Sequence, residues 1–223
     1  MITRRKFCSG SLVMGAGALT GCTGAPSSRP LDVTLARPDY KAIYNEYPGE
    51  RFAIRGFDYR KANPVFLRQT VAYSGPERPG TVVVDTATRH LYFVEEVGKA
   101  TRYGVGVGRD GFAWSGNARI NMKRDWPDWI PPSEMVSRTP EIVAELQPTP
   151  RGLGVPGGPR SPLGARAMYL FGEGRDLGYR IHGTTEPETI GTNVSSGCIR
   201  MINQDIAHLY ARVAIGTPVI VLA

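Results

Sequence analysis

Apolar residues along most of this chain recur with a period of two, in short runs bounded by Gly, Pro, Ser and Asn, which is the spacing of strands. Thr81-Val82-Val83-Val84-Asp85 is a β-branched run, Arg89 to Glu95 is rich in Val, Tyr and Phe, and Thr101 to Val107 follows. The three predict a β-meander. Arg166 to Phe171 and Val219 to Leu222 predict two further strands. In Tyr179-Arg180-Ile181-His182 alternation puts Arg180 and His182 on one face, and in Cys198-Ile199-Arg200-Met201 it puts Cys198 and Arg200 on one face, opposite Ile199 and Met201. Helical spacing is confined to short stretches. Asn203 caps a helix to about Arg212, with Ile206, Leu209, Tyr210 and Val213 on its apolar stripe and His208 off it, in solvent. Thr139 as cap and Pro140 at the first position predict a brief helix to Leu146, and Asn63-Pro64 starts another ahead of a strand from Thr70 to Tyr73. The pattern predicts a mainly β fold, a sandwich or mixed sheet with a few short helices.

The amino-terminal part changes this picture. Thr3-Arg4-Arg5-Lys6-Phe7 and the weakly apolar run from Ser9 to Leu19 read as a twin-arginine export signal, too short and glycine-rich for a membrane span. Leu19-Thr20-Gly21-Cys22 has the form of a lipobox, in which Cys22 becomes the lipidated first residue and holds the protein to a membrane; the other reading is a signal-peptidase cut near Ala25 that discards Cys22. Either way the mature chain is exported to the cell envelope or periplasm. Residues 23–36 form a Pro/Ser tether, and Arg37 to Gly80 an extension with Tyr40, Tyr44, Tyr47, Phe52, Phe57 and Tyr59 but too few apolar residues for its own core. The expected organisation is therefore a signal over 1–22, a tether and packed extension over 23–80, and a catalytic domain over 81–223.

The formal charge of +7 includes Arg4, Arg5 and Lys6, whose loss with the signal leaves +4. A mild, dispersed positive charge suits an anionic envelope polymer or a membrane surface. No block of Lys and Arg with interleaved aromatics points to nucleic acid. Gly106-Val107-Gly108-Arg109-Asp110-Gly111 has the spacing of a dinucleotide loop, but Phe112 to Asn117 open no apolar-periodic helix, so a strand-ending turn is the better account. His90, beside Arg89, reads as a surface or turn histidine. Asp125 to Pro132 reads as an ordered loop whose Trp126 and Trp129 either floor a groove or cover the core. Gly152 to Gly164 is long enough to act as a flap beside a site.

Of three cysteines, Cys8 leaves with the signal and Cys22 is lipidated or removed, so Cys198 alone remains as a thiol. An unpaired cysteine in an oxidising compartment calls for a reason, and nucleophilic catalysis supplies one. His182 can take the thiol proton and return it to a leaving group. Gly197 lets the chain turn so that its own N–H and that of Cys198 face a developing oxyanion. Arg200 adds positive potential that favours a thiolate or holds a substrate carboxylate; a structural ion pair is the alternative.

His182-Gly183-Thr184 followed by Ser195-Ser196-Gly197-Cys198-Ile199-Arg200-Met201 resembles the L,D-transpeptidase catalytic domain of the YkuD-like family, as does the Pro-Leu-Gly-x-Arg-Ala-x-Tyr-Leu run ending at Leu170. The resemblance implies a cysteine acyltransferase acting on peptidoglycan stem peptides, with no metal or other cofactor. It makes Cys198 the nucleophile and His182 the base, and sets a backbone carbonyl at or beside Gly183 to orient the imidazole. Ser196, a candidate substrate contact with Arg200 and Tyr169, stands where many members carry His, so no second imidazole assists there. Tyr169 either lines the groove or is a core strand aromatic. The implied reaction is attack on the third residue of a tetrapeptide stem, release of D-Ala and a 3→3 cross-link. The other readings are a carboxypeptidase or endopeptidase that trims peptidoglycan, a non-catalytic wall-binding lipoprotein, and a zinc site from His182, Cys198 and His208.

Overall fold

The computed structural model describes residues 38–48, 51–108, 114–195 and 197–222. Its strands are β1 (Gln69–Ala72), β2 (Val82–Asp85), β3 (His90–Glu96), β4 (Lys99–Gly104), β5 (Val107–Gly108), β6 (Gly116–Asp125), β7 (Gln147–Thr149), β8 (Gly152–Gly154), β9 (Arg166–Gly172), β10 (Arg175–His182), β11 (Asn193–Ser195), β12 (Ile199–Arg200) and β13 (Pro218–Leu222). Three short α-helices accompany them: α1 (Tyr40–Ile43), α2 (Ser133–Arg138) and α3 (Asn203–Arg212). Nine strands make one mixed sheet in the order β1-β4-β3-β2-β13-β6-β9-β10-β12. Two of its pairings are parallel, β13 with β2 and β12 with β10; the rest are antiparallel. The meander β2-β3-β4 therefore joins the second half of the sheet only through β13.

One core draws on both halves. Val82, Leu91, Tyr103, Ile120, Leu170 and Ile181 meet Ile206 and Leu209 of α3, all essentially inaccessible to solvent. Burying each of the two α3 side chains contributes about 1.5–3 kcal/mol, which fixes the helix against the sheet, where it contacts β9 and reaches Tyr103 of β4 through His208. The longest strand, β6, lies outside the segments predicted from periodicity. Its Ala118 and Ile120 face the core while Asn117, Arg119 and Asn121 face solvent.

The extension packs on this body through the start of α3. Tyr44 is buried with Leu67 and Ile202; its hydroxyl donates to Asp205 Oδ2 at 3.1 Å and accepts from the Arg68 N–H at 2.7 Å. Gln204 donates to the Arg55 carbonyl at 2.7 Å.

Several local expectations change for tertiary reasons. Asn203 is the first residue of α3 and not its cap; the cap position is Ile202, without a side-chain bond. Thr139 and Pro140 do stand at the cap and first positions of a helix, but it is a 3-10 helix, Pro140–Glu145, and the Thr139 side chain makes no capping bond; its N–H closes α2 on the Met135 carbonyl at 2.8 Å. A 3-10 turn also replaces the helix after Asn63, spanning Pro64–Phe66 with Asn63 as its cap. That turn lies over β3, so His90 is buried, with Nε2 3.1 Å from the Val65 carbonyl. His208 is half-buried with Nδ1 2.8 Å from the Tyr103 hydroxyl, not in solvent. Trp126 is buried among Ile54, Phe52 and Ala165 as core cover, and it also lines a small cavity beside Gly164 and Thr184. The glycine pattern at Gly106 to Gly111 lies partly outside the described residues, and so do Cys22 and Ser196.

Candidate active site

His182 is the last residue of β10, and Cys198 immediately precedes β12. The parallel register sets Ile181 beside Ile199 and His182 beside Arg200. One residue further back, the same register brings Cys198 beside Arg180, whose backbone N–H faces the thiol. Paired residues of neighbouring strands share a face, so Cys198, His182, Arg180 and Arg200 all lie on one. β12 is short, yet it is held on both sides: Arg200 and Gly106 exchange backbone bonds of 2.8 and 2.9 Å, and the Met201 N–H reaches the His182 carbonyl at 2.8 Å. Gly197, just ahead of the thiol, has φ +108°, a conformation that strains any side-chain-bearing residue.

The imidazole is buried, and its Nδ1 lies 2.5 Å from the Gly183 carbonyl oxygen. A carbonyl can only accept, so Nδ1 carries the proton and Nε2 presents its lone pair. Asn203 fixes this corner: its Oδ1 accepts from the Ala165 N–H at 2.9 Å, and its Nδ2 donates to the Thr184 carbonyl at 2.8 Å. A Cβ on Gly183 would lie 2.1 Å from that Oδ1, so any side chain there would displace the Asn203 amide. No sequence signal distinguishes this use of Asn203 from capping.

Burial pushes the His182 pKa down to about 4, against the Gly183 carbonyl, which favours the protonated ring; Arg200 and Arg180 push it down further. Cys198 is half-buried, and burial pushes its thiol up, outweighing the Arg180 N–H and the two guanidinium groups. The expected lowering of the thiol by Arg200 is present but overridden. At neutral pH the two groups are a neutral imidazole and a protonated thiol.

Arg200 forms an ion pair with Glu186, Nη1 to Oε2 at 3.0 Å. Tyr169 sits in β9 opposite Arg180 and is buried, so its ring forms the base under Arg180 and not an open groove wall. Arg151, at the tip of the β7–β8 hairpin and just ahead of the Gly152 to Gly164 stretch expected to be a flap, reaches the Tyr169 hydroxyl at 3.0 Å. His208 stands apart from His182 in the Tyr103 cluster, and among the described residues no three His, Cys, Asp or Glu side chains group as metal ligands.

A family model for the YkuD L,D-transpeptidase catalytic domain matches residues 79–221. The chain belongs to the YkuD L,D-transpeptidase family. A probable L,D-transpeptidase ErfK/SrfK of Salmonella typhimurium is 33% identical over 205 residues, 84% of this chain and 62% of that protein. A probable L,D-transpeptidase YbiS of Escherichia coli K12 is 33% identical over 143 residues, 62% of this chain and 43% of that one. The chain thus spans between 43% and 62% of the length of these curated relatives. A solved structure from Brucella melitensis, described as a probable carnitine operon oxidoreductase, is 46% identical, covers 74% of this chain and 99% of its own, and has a TM-score of 0.49. Among the described residues no helix is long and apolar enough to cross a membrane.

Proposed function

We propose that this protein is an exported L,D-transpeptidase that makes 3→3 cross-links in peptidoglycan, with Cys198 as nucleophile and His182 as general base. The observation that carries the reading is the bond from His182 Nδ1–H to the Gly183 carbonyl, which leaves Nε2 unprotonated on the face shared with the thiol. With both groups neutral at rest, the thiol proton passes to Nε2 as the sulfur attacks the carbonyl of the third residue of a tetrapeptide stem. The N–H groups of Cys198 and Gly197 receive the oxyanion. D-Ala leaves with the proton from His182, and a thioester remains on Cys198. An acceptor amine on a second stem then attacks the thioester; His182 takes its proton and returns it to the departing thiolate. No metal or cofactor takes part.

The partners in this reading are peptidoglycan stem peptides and, through a lipid on Cys22, a membrane of the envelope or periplasm. Carbapenems acylate Cys198 by the same route.

Mass spectrometry of the purified protein with a disaccharide-tetrapeptide, beside Cys198→Ala, tests it. Cross-linked dimers with loss of D-Ala, absent in the variant, are expected. Tripeptide without dimer would replace transpeptidation by carboxypeptidase activity, and no turnover of any stem peptide would sink the enzyme reading.

A further inference from the structure

The strand that ends in His182 is bulged. β10 pairs with β9 at Asp176 opposite Phe171 and resumes, after a register shift, at Arg180 opposite Tyr169. Gly178 lies between them at φ +80°, its N–H bonded to Asp176 Oδ1 at 2.9 Å. Bulges beside active sites re-aim the side chains that follow them. Here Arg180 lies with its guanidinium 4.3 Å from the centre of the Tyr169 ring. Asp176 accepts from Nη1 and Nη2 at 2.8 and 2.9 Å, and the Tyr179 carbonyl takes a second Nη1 proton at 2.9 Å. Tyr169 is held in turn by Arg151. A guanidinium carries five protons, so among the described residues these bonds leave Nε–H and one Nη2 proton of a planar and partly exposed cation.

We propose that Arg180 is a specificity-determining residue: it receives a carboxylate of the donor peptide, either on the side chain of the residue that acylates Cys198 or at the terminus of the residue that leaves. The substrate half of this statement rests on the proposed function. The position favours Arg180 over Arg200, because the strand register sets Arg180 beside Cys198 and Arg200 beside His182. Electrostatics agree, since Arg180 weighs more than Arg200 on the thiol and Arg200 more than Arg180 on the imidazole. Both guanidinium groups have an acidic neighbour, Asp176 on Arg180 and Glu186 on Arg200, so position and not engagement separates them. Asp176 offsets part of the Arg180 charge, so recognition depends on direction more than on field, as suits a fork that binds a carboxylate in its plane.

The first test needs no substrate. Cys198 is alkylated with iodoacetate, an anion, and with iodoacetamide, its neutral analogue, at fixed pH and ionic strength. A change in thiol pKa moves both rates together, so their ratio reads anion recognition at the sulfur. Arg180→Gln is expected to lower the iodoacetate-to-iodoacetamide ratio about tenfold, and Arg200→Gln about twofold or less. If Arg180→Gln fails to fold, Arg180→Met keeps the stem over the Tyr169 ring and carries the same expectation. An unchanged ratio, or equal shifts from Arg180 and Arg200, overturns the proposal.

The second test uses stem peptides amidated at one carboxylate or the other. Amidating the group that Arg180 receives is expected to raise KM about tenfold in the wild type and to have no effect in Arg180→Gln. Whichever peptide behaves so identifies the carboxylate; if neither does, the substrate assignment fails. Peptides that are not processed at all, with the alkylation ratio still responsive, would refute the transpeptidase reading and leave an anion-selective thiol.

Discussion

His182 and His208 are alike in one respect and opposite in another. Burial pushes both pKa values down to about 4. His182 has its Nδ1 proton fixed on a backbone carbonyl, stands on the face of a thiol, and keeps Nε2 for chemistry. His208 has Nδ1 against the Tyr103 hydroxyl on a helix that carries the buried Asp205, with Arg68, Arg212 and Glu95 as its charged surroundings. A displaced pKa therefore marks burial, and only the neighbouring groups turn burial into a site.

Exchanging the two rings breaks the comparison most sharply. On the proposed mechanism His182→Gln lowers kcat about 10²- to 10⁴-fold, while His208→Gln leaves kcat within about threefold and lowers Tm through the lost Tyr103 bond, worth about 0.5–1.5 kcal/mol. Steady-state kinetics and thermal melts on both variants check it; equal losses of activity would erase the distinction.

The acid limb of kcat/KM is the next largest effect. His182 is an available base only while neutral, so activity should hold as pH falls through 6 and decline near pH 4. A limb near the ordinary imidazole value of 6.5 would place the ring in water. Stability carries the same sign. Both depressed histidines bind protons first in the unfolded chain, so their contribution is full above about pH 6.5 and is lost as pH falls towards 4. Asp205, raised from 3.8 to about 7 by burial, works the other way: it holds its proton longer in the folded state, so its contribution is full at low pH and is lost as pH rises from about 4 to 7. His208→Gln should therefore flatten the acid loss of stability and leave the Asp205 contribution in place.

Two smaller substitutions sharpen the contrast between the corner and its supports. Asn203→Ala removes the bonds to Ala165 and Thr184 that brace Gly183, and kcat should fall about tenfold with KM little changed. Tyr44→Phe removes a hydroxyl that serves Asp205 and Arg68; it should cost about 1–3 kcal/mol in urea melts with kcat unchanged. A loss of activity in Tyr44→Phe at temperatures where it is folded would tie the extension to the chemistry.

What the sequence made legible was whatever depends on neighbours in the chain. Alternation placed His182 and Arg180 on one face and Cys198 and Arg200 on another, and the meander followed from β-branched runs. That the two faces are one face depends on parallel pairing across a loop, which no local pattern encodes. Asn203 looks like a cap because Asn before an apolar stripe usually is one; its amide instead spans two loops that are distant in sequence. His90 and His208 look like surface residues because the turn that covers the first and the tyrosine that bonds the second lie far along the chain. β6 did carry a local signal, Ala118, Ile120 and Met122 at alternate positions, masked by the Asn, Arg and Lys between them. The bulge that aims Arg180 shows only as a glycine two residues earlier.

β13 sits between β2 and β6, and the Thr86 hydroxyl meets the Leu222 carbonyl across 136 residues of sequence. Synthesis proceeds from the amino end, so the strand that joins the halves emerges after everything it joins. Until then β2 and β6 each present an unpaired edge, and the core beneath them stays open. Such non-local pairing slows folding and leaves the nascent chain exposed to aggregation and proteolysis. The dependence of both halves on one late strand makes assembly all-or-none, so a nick ahead of β13 should release a chain that no longer melts cooperatively.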